Sequence, residues 1–247
     1  MESSLFLKFK RSSPTADCLL LSTPTSKKGF TVLELLISLA IMGVIMAVAI
    51  TGQSTYNKNI LLTDTAYSVA LSLRQAQSYG LSSKKEGTFQ NAGYGLHFSD
   101  STRSYYTFFA DTSKTLGTPT WCPSGALGTP EGKPGNCRFD SAGVKDTVVQ
   151  TYYFQRGYQF IRICAREVAS NKMYCTDGSQ NGRTLNPITV VFVRPNNKVI
   201  MTGYFSPSAV PVELSCIEAQ IQDPTSNTSK KIRVTKLGEI SVGQSCP

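Results

Sequence analysis

The chain of 247 residues has a single histidine, His97, and no two of its cysteines stand in a Cys-x-x-Cys pair. The spacings that zinc modules use are therefore missing, and metal binding is the weaker of the two uses of clustered cysteine. A Ser-His-carboxylate triad would have to recruit that same His97, which lies in an apolar, strand-like stretch as a core or edge residue. No phosphate-binding loop or metal signature occurs either. The expectation is no enzyme, no cofactor and no metal.

Acidic residues are also scarce, 16 against 25 Lys and Arg, for a formal net charge of +9. The first 29 residues, with Lys8, Lys10, Arg11, Lys27 and Lys28 against Glu2 and Asp17, contribute +3 of this, which leaves +6 for the rest. A surplus of that size permits attraction to polyanions, but an ordinary solvated surface explains it equally well. With 40% hydrophobic residues, the length suits one globular domain with its own core and one extra segment.

The cysteines are unevenly placed. Cys18 precedes the long apolar run, while Cys122, Cys137, Cys164, Cys175, Cys216 and Cys246 all follow it. An even number confined to one side reads as disulfides formed in an oxidising compartment.

That apolar run, residues 30 to 50, reads FTVLELLISLAIMGVIMAVAI and carries one charge, Glu34. At about 1.5 Å per helical residue it can cross a hydrocarbon core of about 30 Å. Lys27 and Lys28 stand directly before it and favour a cytoplasmic N-terminal flank, with the bulk of the chain outside the cytoplasm. A secretory signal peptide fits poorly, because the run is long for an h-region and no small-x-small site closes it; Gly52-Gln53-Ser54 comes nearest. A plain single-span anchor fits better but leaves Glu34 unexplained. A carboxylate within hydrocarbon costs several kcal/mol unless paired, so Glu34 either reaches the interface from the helix end or has a partner.

The string Lys27-Lys28-Gly29-Phe30-Thr31-Val32-Leu33-Glu34-Leu35-Leu36 resembles the class III signal of type IV pilins and pseudopilins. In that family a basic leader ends in Gly, Phe usually follows, and Glu is fifth in the mature chain. The resemblance implies that a prepilin peptidase cuts between Gly29 and Phe30 and that the new amine of Phe30 is N-methylated. It further implies that Glu34 pairs with a neighbouring subunit's amine during filament assembly, each neutralising the other. Two features depart from the family pattern: the leader is longer than most, which also admits a start later than Met1, and the helix lacks the proline many major pilins carry. Gly43 and Gly52 are then its soft points.

Past residue 51 the helical period continues through Ile60, Leu61, Tyr67, Val69, Leu71, Leu73 and Ala76 to about residue 79, with Gly80 and the 84–87 stretch ending it. One helix of about 50 residues, roughly 75 Å, is predicted. Strands follow at 94–98, 104–110, 160–164, 188–193, 199–202 and 231–235, with a hairpin turning at 99–103. The fold class is α+β, a long helix packed on an antiparallel sheet, divided into a leader (1–29), a transmembrane or filament-core helix (30–51) and an exported globular domain (52–247). Thr112 to Gly143 reads as a long loop. Local order pairs Cys122 with Cys137, Cys164 with Cys175 around Ser170-Asn171, and Cys216 with Cys246, one of fifteen connectivities open to six cysteines. Leu73-Arg74-Gln75-Ala76 and the strand, turn at Gly238 and strand over 232–240 resemble the H-type pseudopilins of type II secretion and their related minor pilins.

A structural subunit of the inner membrane is thus expected, joining other pilin or pseudopilin subunits in a helical filament after leader removal. The alternative is a tip minor pilin that binds DNA. Arg156, Arg162, Arg166, Lys172 and Arg183 lie among Tyr152, Tyr153, Phe154, Tyr158, Phe160 and Tyr174, a mixture that backbone contact and base stacking could use. Strand alternation, with rings in the core and charges in solvent, explains the same mixture. The Gly-Arg-x-Arg string of DNA-binding minor pilins is only half present, as Gly182-Arg183-Thr184-Leu185.

Overall fold

The computed structural model describes residues 29–82, 85–86, 89–90, 92–113, 122, 135–143, 145–194, 199–208 and 210–247. Lys27, Lys28, Cys18 and most of the 112–143 loop lie outside the described residues. The chain forms two units, residues 1–50 and residues 51–247.

One helix, α1 (Val32–Leu81), is followed by β1 (Lys85–Glu86), β2 (Phe89–Gln90), β3 (Gly93–Phe98), β4 (Tyr105–Asp111), β5 (Thr147–Tyr153), β6 (Gln159–Glu167), β7 (Met173–Cys175), β8 (Leu185–Phe192), β9 (Val199–Phe205), β10 (Pro211–Gln222), β11 (Ser229–Thr235) and β12 (Ile240–Val242). The fold is α+β. Ten strands form one sheet in the order β12-β11-β10-β9-β8-β3-β4-β5, with β6 on β10 and β7 on β6. All its strand pairings are antiparallel. Strand β10 is shared: Pro211 to Glu213 pair with β9, while the remainder lies between β6 and β11.

Within the second unit the helix offers the sheet a narrow stripe. Leu62, Ala66, Val69, Ala70, Leu73 and Ala76 are buried in one cluster with Tyr94, Leu96, Phe108, Val190, Met201, Ile217 and Ile232. These helical positions recur every three or four residues, as a single face requires. Ser72 Oγ lies 2.9 Å from Tyr106 Oη beneath the helix, so the one hydroxyl the stripe buries has a partner. Gly80 does not end the helix as its residue type suggested; α1 continues to Leu81. Its missing side chain serves packing instead, since a Cβ there would stand 2.2 Å from the Phe192 carbonyl oxygen.

Among the described residues of this unit, no helix covers the sheet's other face. Phe109, Val191, Val193 and Ile200 point to that side and form a second, smaller cluster with Cys122, Cys137 and Phe139. The segment carrying Cys137 is held by two buried carboxylates. Asp111 accepts from the backbone N–H groups of Asn136 (2.9 Å) and Cys137 (2.7 Å). Asp146 accepts from Thr112 (2.9 Å), Ser113 (2.8 Å) and Asp140 (2.7 Å). Burial, with the Asp146 charge nearby, pushes the Asp111 carboxyl well above its ordinary range despite its two N–H partners. Burial likewise raises Asp146, to about 6.

Besides the two-residue strands β1 and β2, two strands escaped the sequence pattern. β5 is an edge strand whose residues are mostly half-buried or exposed, so it shows little apolar contrast. β10 alternates Ile217, Ala219 and Ile221 against Glu218, Gln220 and Gln222, yet Ala, Glu and Gln are depleted in strands and favour helices, which hides the period.

Two outcomes follow from this packing. Gly80→Ala gains helix propensity of about 1 kcal/mol at an open site, but here the methyl meets backbone; a net loss of about 1–3 kcal/mol is expected in thermal or denaturant unfolding. For the acid pair, a raised native pKa means that the folded chain keeps a proton the unfolded chain has released between about pH 4 and pH 6. Stability from this source is therefore present at the acidic end and lost as pH rises through about 6. Glu218, Asp177 and Asp223 are shifted downward and act below that window. The buried His97 imidazole, lowered to about 4, acts oppositely in the same window, since the unfolded ring takes up a proton on acidification that the folded ring refuses. The acid pair is therefore read by difference: between pH 7.5 and pH 5 the native chain, unfolded in detergent, should gain stability relative to Asp146→Asn, on the order of 1–2 kcal/mol. At pH 7.5 the amide of Asp146→Asn keeps an oxygen for the Thr112 and Ser113 N–H groups and leaves the Asp140 N–H without its acceptor, at a cost of about 1–3 kcal/mol.

Candidate functional site

The described residues of the first unit begin at the junction the sequence singled out. Gly29, Phe30 and Thr31 are non-helical and exposed, and α1 starts at Val32. Phe30 is 81% exposed.

Thr31 is the helix N-cap. Its carbonyl accepts from Leu35 N at 3.2 Å, and its Oγ1 accepts from Glu34 N, also at 3.2 Å. A hydroxyl at the cap thus takes one of the four backbone donors a helix start leaves over. Glu34 lies three residues on, in the first turn, where a carboxylate is favoured by the helix dipole and where a capping box places its acid. Ser38 Oγ donates back to the Glu34 carbonyl at 2.8 Å, so its hydroxyl spends itself within the helix.

Residues Val32–Ile50 have a mean hydropathy of 2.6 and are long and apolar enough to cross a membrane. Val32, Leu33, Leu36, Met42, Ile45 and Val48 are all more than half exposed, an arrangement that water penalises and that a bilayer or other apolar helices relieve. Within this segment Glu34 is the single charged residue. Backbone polarity is satisfied inside the helix, as hydrocarbon demands.

In the second unit three disulfides join cysteines that are neighbours in sequence: Cys122–Cys137, Cys164–Cys175 and Cys216–Cys246. Cys164 and Cys175 stand directly opposite one another on β6 and β7, across the turn that contains Ser170 and Asn171. Cys246 draws the C-terminal tail onto β10, where its N–H donates to Glu218 Oε2 at 3.2 Å and Lys231 Nζ lies 2.8 Å from Glu218 Oε1. Burial pushes the Glu218 carboxyl up, but the Lys231 and Cys246 hydrogen bonds hold it below its ordinary value.

Most of the rings named with the five cations for DNA contact are turned into the core or packed on it. Tyr158, Phe160 and Tyr174 are buried in the main core, and Tyr152 and Phe154 pack against it. Arg162 Nε donates to Gln220 Oε1 at 2.9 Å and Arg166 Nη1 to the Asn171 carbonyl at 2.9 Å. Arg183 lies 3.9 Å over the Phe205 ring, a cation–π contact within the chain. Arg156 precedes β6 in an exposed turn, whereas Arg166 and Lys172 stand at that strand's other end. Tyr153 is the one exposed ring of the six.

His97 lies on β3 with Nδ1 3.1 Å from Thr189 Oγ1 and its ring 4.6 Å from that of Phe139. Burial lowers its pKa to about 4, so it is a neutral packing residue at pH 7. Among the described residues, no group of three or more His, Cys, Asp or Glu side chains is placed to hold a metal ion.

The Thr31 cap is the feature that sequence reasoning passed over, although Thr31-x-x-Glu34 before an apolar run is a visible capping-box pattern.

Comparison with known proteins gives one finding. The family profile of the prokaryotic N-terminal methylation motif matches residues 24–50, which takes in Gly29, Phe30, Thr31, Glu34 and the apolar segment. Neither the curated proteins nor the solved structures contain a match to the chain.

Proposed function

The chain is a type IV pilin-like protein, and from that premise we propose that it is a minor pilin or pseudopilin, a structural subunit that performs no chemistry of its own. The precursor inserts in the inner membrane as a single span, with Lys27 and Lys28 holding the leader in the cytoplasm and the disulfide-bearing domain outside. Prepilin peptidase removes residues 1–29, the amine of Phe30 is methylated, and the subunit joins a type IV pilus or a type II secretion pseudopilus through α1.

The observation that carries this reading is Glu34: one carboxylate, fifth from the expected new amine, on a helix segment otherwise apolar all round. An isolated carboxylate is costly in hydrocarbon, and the amine of an adjacent subunit offsets that cost while fixing register. DNA capture at a filament tip, the alternative, draws on Arg156, Arg162, Arg166, Lys172 and Arg183. It has less support, because three of the rings that would stack on bases are buried and two more pack on the core.

Glu34→Leu tests the assignment. Leader cleavage is expected to continue, while incorporation into filaments, measured in sheared or cross-linked fractions, falls roughly tenfold or more; unchanged incorporation would refute the pairing role. Intact-mass measurement of the membrane-extracted chain should give a product beginning at methylated Phe30. A product beginning anywhere else would overturn the cleavage assignment.

A further inference from the structure

The geometry points to Thr31 as a positioning residue for leader removal: its side chain ends the helix and so keeps the Gly29–Phe30 bond in non-helical, accessible backbone. This deepens the reading of the chain as a prepilin peptidase substrate and rests on it.

A peptidase has to reach the carbonyl of the bond it cuts. In a helix that carbonyl accepts from the N–H four residues on, which for Gly29 is Leu33. The Glu34 N–H would likewise be taken by the Phe30 carbonyl if α1 began a turn earlier. In the structure Glu34 N instead donates to Thr31 Oγ1, and the first intrahelical backbone bond runs from Leu35 N to the Thr31 carbonyl. The hydroxyl therefore competes for the donor that upstream growth of the helix would use, and Gly29 and Phe30 stay outside α1.

Growth upstream is a real pressure here. In an apolar surrounding every unmet backbone donor at the helix start is costly, and adding upstream helix is the other way to meet it. Phe30 tolerates helix, so Thr31 and the poor helix former Gly29 are the two stops. Gly29 has no described neighbour within 4 Å of a built Cβ, so among the described residues nothing packs against it to enforce its backbone. Thr31 does the local work.

The test uses the full-length precursor in proteoliposomes with purified prepilin peptidase, comparing native chain, Thr31→Val and Thr31→Ser by initial rates over a range of precursor concentrations. Val keeps the shape and loses the acceptor; Ser keeps the acceptor. For Thr31→Val the apparent KM should rise about fivefold, the equivalent of about 1 kcal/mol, with kcat near native, because only the non-helical fraction is competent to bind. Thr31→Ser should return within about twofold of native. Hydrogen exchange should show new protection at the Leu33 amide in the Val variant alone. Native-like cleavage of Thr31→Val, or equally slow cleavage of Thr31→Ser, overturns the inference. A native precursor left uncut at Gly29–Phe30 would instead refute the substrate reading on which it rests.

Discussion

A ten-stranded sheet has two faces to cover, and among the described residues of the globular unit one α-helix is there to cover one of them. The stripe from Leu62 to Ala76 closes that side, and small residues there (Ala66, Ala70, Ala76 and Gly80) let the helix lie close against the strands. How close is set by Gly80, whose place leaves no room for a Cβ beside the Phe192 carbonyl. The opposite face is closed by other means. Cys137 and Phe139, pinned by the Cys122 bridge and by Asp111 and Asp146, cover Phe109, Val191 and Ile200. On the strands around β10, the residues in the main core are Ile163, Ala165, Ile217, Ala219, Ile221, Ile232 and Val234. Their alternates Cys164, Cys216 and Glu218 face the other way and carry two bridges and the tethered tail. Covalent staples thus stand where a second layer of helix would otherwise be needed.

The same helix obeys two different solvents along its length. Up to Ile50 it is apolar on every side; from Leu62 onward the buried positions shrink to one face, while Asp64, Arg74 and Ser78 are exposed. A helix apolar all round and a helix with one apolar face call for different surroundings. One continuous element with both patterns suits a chain that has to be anchored at one end and folded in water at the other. Glu34 is then the single polar side chain that cannot be accounted for by the anchor alone.

Legibility followed the strength of each local signal. The junction and the anchor were readable because Lys-Lys-Gly-Phe, the Glu34 spacing and the apolar run coincide within a short span, whereas the Thr31 cap was missed because attention went to the charge and not to the hydroxyl beside it. Strands rich in β-branched and aromatic residues, such as β4 and β8, were found; β10 was not, since its alternation of Ile217, Ala219 and Ile221 with Glu218, Gln220 and Gln222 runs through residue types that strands use little. The neighbouring disulfide pairs were readable from order alone because β6 and β7 form a hairpin and the tail returns to β10. The mixture of arginines and rings looked like a binding surface in one dimension. Alternation on β6 separates Ile163 and Ala165 from Arg162 and Arg166, and the irregularity in its pairing with β10 between Phe160 and Arg162 puts Phe160 in the core as well, a fact that composition cannot express.

What distinguishes this subunit from others sharing its N-terminal signal has therefore to lie in the stapled face. The helix start is constrained by the processing its signal implies and, in the function proposed, by the pairing of Glu34, which leaves little room for variation there. The helix-facing side of the sheet is constrained by packing, where a single added methyl at residue 80 meets backbone. On the outer face the requirement is looser: the bridges hold the loop and the tail in place whatever side chains they carry, and loops supported by a rigid scaffold are where recognition residues accumulate. The stretch 135–143 and the tail ending at Cys246 combine held backbone with exchangeable side chains, so specificity can change there without disturbing either the anchor or the core.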